Sequence, residues 1–113
     1  MTNKEKVELI ARHYGYDSQS RQLIEEMAEL TQAINKFWRV RLDCGRIALN
    51  KTKRVDLDGN TRYSREAGNI IEELADVQVM IWQMQYFFDV DRLEDVAAAK
   101  LDRQLRRIME EDA

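Results

Sequence analysis

Two pairs of carboxylates, Glu26 with Glu29 and Glu73 with Asp76, are each spaced acid-x-x-acid within an apolar, helix-patterned stretch. Residues three apart on an α-helix project from one face, about 5–6 Å apart, so each pair aims two carboxylates in one direction. Brought together between two helices, four such groups repel one another and lose hydration, and a divalent cation relieves both costs. An all-oxygen donor set favours a hard ion, Mg²⁺ or alternatively Mn²⁺, over zinc. The chemistry open to such a centre is the handling of phosphates.

Four helical segments must position these groups. The first spans about Asn3 to Tyr14, with Val7, Leu9, Ile10 and Tyr14 at helical spacing, and stops near Gly15. The second starts after Asp17 or Ser18 and runs to about Arg41, with Leu23, Met27, Leu30, Ile34 and Phe37 as its stripe. Periodicity fails from Leu42 to Tyr63, where Gly45, Asn50, Asp58, Gly59 and Asn60 punctuate the chain. A third segment runs from Ser64, a suitable N-cap, through Phe88. The fourth opens on Asp91 and Glu94, spaced like a capping box, and continues to about Glu110 with Leu93, Val96, Leu101, Leu105 and Ile108 inward.

On a helical wheel, Gln22, Glu26, Glu29 and Ala33 share one strip beside the apolar stripe of the second segment. Asn69, Glu73, Asp76, Met80, Met84 and Phe87 share a strip on the third, flanked by Ile70, Val77, Ile81 and Phe88. The acidic pairs therefore border core-type residues, whereas Glu25 and Glu72 point about 100° away. A single Glu-x-x-Glu is common on solvated helices; two such pairs beside apolar stripes make a stronger signal.

Composition bounds the rest. The chain has 113 residues, 44% hydrophobic and 35% charged, with no proline and four glycines, which fits one all-α domain. A net charge of −3 argues against a general binder of nucleic-acid polymers, whose affinity rests on neutralising phosphates. The single cysteine, Cys44, excludes an internal disulfide and suits a reducing compartment. The N-terminal stretch lacks the apolar core of a signal peptide, and no apolar run reaches membrane-spanning length. The expected compartment is the cytoplasm.

Several residues invite other readings. With His13 as the only histidine, neither a zinc site nor the Glu-x-x-His pairs of di-iron bundles can be assembled. The run Asp56 to Asn60 opens like a calcium loop, but Thr61 and Ala67 stand where that loop needs glycine and glutamate, so it reads as a polar turn. From Arg39 through Arg65 there are eight cations; Lys53 and Arg54 are the candidates for neutralising a phosphate beyond the metal. Gln22 and Asn69, on the acidic strips, are placed to read a nucleobase edge or hold a water. Trp38, Trp82, Tyr63 and Tyr86 are expected to pack in the interior.

The stretch Gln22-Leu23-Ile24-Glu25-Glu26-Met27-Ala28-Glu29-Leu30, with the later Ile71-Glu72-Glu73-Leu74-Ala75-Asp76-Val77, resembles the all-α MazG-like nucleoside triphosphate pyrophosphohydrolases. Their motif is Glu-x-x-Glu, a variable gap, then Glu-x-x-Asp, and the likeness covers roughly Ser18 to Met84. The gap here is longer than in many relatives. The resemblance implies a four-helix-bundle-like fold and metal ligation by Glu26, Glu29, Glu73 and Asp76. It further implies hydrolysis of a (deoxy)nucleoside triphosphate to the monophosphate and pyrophosphate by a dimer or tetramer. A basic pattern that relatives carry late in the chain is loosely echoed by Lys100, Arg103, Arg106 and Arg107, which makes Lys100 and Arg103 substrate-binding candidates. The alternative from another class is a non-catalytic helical module whose apolar stripes serve oligomerisation alone. The third segment supports assembly on its own: residues from Ile70 to Phe88 are apolar over too much of the circumference for one narrow core.

Overall fold

The computed structural model describes residues 1–43 and 62–112, with side chains for 1–40 and 64–112. Among them the chain is all-α: α1 (Asn3–Asp43), α2 (Arg62–Phe87) and α3 (Val90–Glu111). Expectations placed on the intervening stretch, including Cys44, Lys53, Arg54 and the polar turn at Asp56, lie outside the described residues.

α1 begins with a reciprocal cap: the Glu5 amide donates to Thr2 Oγ1 at 3.1 Å while Glu5 Oε1 accepts from the Thr2 amide at 3.5 Å. Its two arms meet at Gly15, where φ is 85° and ψ 167°. That backbone region is open essentially to glycine alone, so the two expected N-terminal segments form one element with a sharp break. α2 starts two residues before the expected N-cap, leaving Ser64 inside its first turn and buried. α3 is capped by Asp89, whose carboxylate accepts from the Arg92 amide at 3.1 Å; Asp91, the expected start, lies in the first turn.

The core is the seam where α1 and α2 pack together. On α1 the inward positions are Gln19, Glu26, Leu30, Ala33, Phe37 and Val40; on α2 they are Ala67, Ile70, Glu73, Val77, Met80 and Gln83. With half-buried Leu23 between Gln19 and Glu26, successive inward positions on both helices stand three or four residues apart, the spacing that keeps one narrow face of each helix on its partner. Phe37 and Val40 pack on Ala67 and Ile70 at one end, and Tyr16 meets Phe87 edge to face at the other, with ring centroids 5.7 Å apart. The pairing is therefore antiparallel. Between these ends Gln19 donates to Gln83, both almost fully buried.

Two expectations are corrected by the burial pattern. The inward row assigned to the fourth segment is not inward: α3 buries no residue, and Leu93, Val96, Leu101, Leu105 and Ile108 are exposed, Leu101 by 61%. Among the described residues the all-α class holds, with three helices and the α1–α2 hairpin as the packed unit. Met27, Ile34, Ile81 and Phe88 are exposed, as are Trp38 (50%), Trp82 (42%) and Tyr86, because nothing described in the same chain covers those faces.

Candidate functional site

The seam carries carboxylates where a hydrophobic rhythm calls for apolar side chains. Glu26 and Glu73 sit on it, half-buried, and Glu29 and Asp76 flank them one turn along, exposed. The antiparallel register brings the two pairs together: one carboxylate oxygen from each of the four residues lies within 4.8 Å of all the others. Ligands on opposite sides of a Mg²⁺ ion stand about 4.2 Å apart, twice the ~2.1 Å metal–oxygen distance. The widest separation in the set exceeds that by about 0.6 Å.

Electrostatics mark the cluster as strained. The Glu26 charge, then that of Glu73, pushes the Glu29 carboxyl above its ordinary value of 4.5, with smaller contributions from desolvation and from hydrogen bonds to the same two groups. Oε2 of Glu26 and Oε2 of Glu73 are buried with no hydrogen-bond partner. A buried, unpartnered carboxylate oxygen is costly, and coordination to a cation is one way to satisfy it. The donor set fits a hard divalent ion; no cation from the described residues takes that place.

Of the other expected site residues, Gln22 joins the cluster, its amide donating to Glu26 Oε1 at 2.7 Å. Asn69 lies on the wall of a cleft beside Glu73 and donates to Glu66 at 3.5 Å. Lys100 and Arg103 stand exposed on α3 and are not brought to the cluster within one chain. Glu25 and Glu72 are exposed and outside it. Three cleft residues, Gln32, Lys36 and Glu66, were not anticipated. Their signal was available: Lys36 follows Glu29 by seven residues and Glu66 precedes Glu73 by seven, which returns each to the same helix face.

No family model, curated protein or solved structure matches the chain. The likeness to MazG-like enzymes thus rests on the two acidic motifs.

Proposed function

We propose that the protein is a Mg²⁺-dependent nucleoside triphosphate pyrophosphohydrolase, with Glu26, Glu29, Glu73 and Asp76 as its metal ligands. The observation that carries this reading is the convergence of four carboxylates within 4.8 Å, two of them with buried, unpartnered oxygens. A triphosphate cannot approach such a cluster unaided, because both are anionic. When bound, Mg²⁺ (or Mn²⁺) supplies charge neutralisation, polarisation of the P–O bonds and a lower pKa for a water.

In the reaction, the water oxygen forms a new bond to the α-phosphorus. The bond from that phosphorus to the oxygen bridging to the β-phosphorus breaks, and its electron pair leaves with pyrophosphate. A carboxylate of the cluster accepts the proton lost by the water and passes it to solvent. Phosphoryl chemistry of this kind asks the protein for positioning and charge balance more than for a nucleophile. Gln22, held on Glu26, would orient the substrate or a water. If the substrates are modified nucleotides, the same reaction would clear them from the pool.

We also propose a cytoplasmic homo-oligomer, dimer or tetramer. In support, the apolar row of α3 and the apolar outer face of α2 have no partner among the described residues. The same faces favour the second reading, a helical assembly module without catalysis. No helix of the described residues is long and apolar enough to cross a membrane. A panel of ribo- and deoxyribonucleoside triphosphates incubated with Mg²⁺ or Mn²⁺ decides between the two. Pyrophosphate release from at least one, abolished by chelation, is expected; no release from any would leave the assembly module standing.

A further inference from the structure

Beside the acidic cluster, residues 29–36 of α1 and 66–73 of α2 enclose a cleft of about 380 Å³. Its walls carry Glu29, Gln32, Lys36, Glu66, Asn69 and Glu73. We propose that this cleft receives the β,γ-diphosphate end of the substrate, the part that leaves as pyrophosphate, with Lys36 as the cation that neutralises it. The nucleoside then lies on the opposite side of the cluster, toward Gln22. This assignment rests on the pyrophosphohydrolase reading and gives it a direction along the helices.

Three observations carry it. First, the described lining has no aromatic side chain and only Ala33 as an apolar one. Nucleobases are held against aromatic and apolar walls, whereas phosphate oxygens take ammonium and amide donors. Second, Lys36 is the only cation among the described lining residues, and it makes no hydrogen bond or ion pair with any described residue, although three carboxylates share its cleft. A compact ammonium on a flexible stem, held near a metal-type carboxylate set and unpaired, is free to meet an anion. Third, Glu29 and Glu73 belong to both the cluster and the cleft. Lys36 lies seven residues beyond Glu29, about 10.5 Å along the axis, and helical side chains lean back toward the N-terminus. Its ammonium therefore leans toward the cluster, from the side where the phosphates distal to the reacting one would extend.

The wall charge makes the proposal testable without turnover. Three carboxylates against one lysine repel a bare diphosphate, so inorganic pyrophosphate should bind only with a divalent cation present. Calorimetric titration of the full chain with inorganic pyrophosphate, and separately with nucleoside monophosphates, in Mn²⁺ would compare wild type, Lys36→Gln and Lys36→Arg. Lys36 is exposed, and unchanged melting of each variant verifies its fold. Lys36→Gln should weaken pyrophosphate binding about ten-fold or more, as expected for one charge-assisted contact. It should leave monophosphate binding within about two-fold, and Lys36→Arg should recover most of the loss. Weakened monophosphate binding with pyrophosphate unaffected, or no change in either, overturns the assignment and leaves the catalytic reading intact. Wild-type protein that binds pyrophosphate through Lys36 yet hydrolyses no triphosphate upholds the cleft and overturns the catalytic reading.

Discussion

At the scale of single residues, the cluster sets a conflict between stability and chemistry. Glu73 occupies a seam position with a buried, unpartnered oxygen, beside the carboxylates that strain it. Glu73→Gln removes one charge and adds a donor for its neighbours. The metal-free variant should therefore melt higher than wild type, while losing activity about 100-fold or more, beyond what losing an outer-sphere partner costs. Wild type should respond to Mg²⁺ instead, gaining about 2.7 kcal/mol at a hundredfold excess over Kd. Calorimetric melting of both proteins with and without metal tests the pair of claims. The raised Glu29 pKa gives a pH signature. Between its unfolded and folded pKa values the native state holds more protons than the unfolded state, so stability falls as pH rises through that interval and is flat above it. Metal-free melting temperature should decline from the ordinary carboxylate range upward, and Glu29→Gln should flatten the decline. The four carboxylates were legible because their spacing is local to each helix. Lys36 and Glu66 share the helix faces of Glu29 and Glu73 by their seven-residue spacing, but their meeting in one cleft depends on the antiparallel register, which no local spacing encodes.

At the scale of elements, that register is held by more than apolar packing. The buried Gln19–Gln83 pair satisfies each amide only when the helices align as they do. Gln83→Ala strands the Gln19 amide and should cost about 1–3 kcal/mol in chemical denaturation. Replacing both by leucine should be nearly neutral in stability, because neither polar group is then left alone. Hydrophobic patterning gave the existence of every helix, and the stop near Gly15 fell where the backbone breaks. It missed the start of α3, since Asp89 and Asp91 are both acceptable caps by type and only backbone geometry chooses between them. It also missed part of the α1–α2 seam, because glutamines at 19 and 83 and alanines at 33 and 67 look like surface or filler until a partner helix covers them.

For the whole molecule, the decisive feature is what the described residues leave uncovered. The Cα radius of gyration is 17.8 Å, against about 13 Å for a compact chain of this length. α3 presents Leu93, Leu101, Leu105 and Ile108 on one side without a single buried residue. The expectation that these face inward came from reading an amphipathic stripe as proof of an internal core, whereas a stripe states only that some apolar partner is needed. Light scattering at micromolar concentration should report a dimer or larger, with a melting temperature that rises with protein concentration. Leu101→Glu together with Leu105→Glu should shift the species toward monomer. A wild-type monomer with full activity would contradict this picture.

Gly15 carries a consequence for how the sequence tolerates change. A side chain added there meets no atom within 4 Å, so space is not the constraint. The constraint is the backbone itself, at φ 85° and ψ 167°, which costs any other residue about 1–3 kcal/mol. In a saturation mutagenesis scan read by activity, position 15 should look as intolerant as Glu26 or Glu73, although it takes no part in chemistry. Scored by cellular abundance, the profiles separate: substitutions at 15 deplete the protein, while Glu73→Gln leaves its level intact.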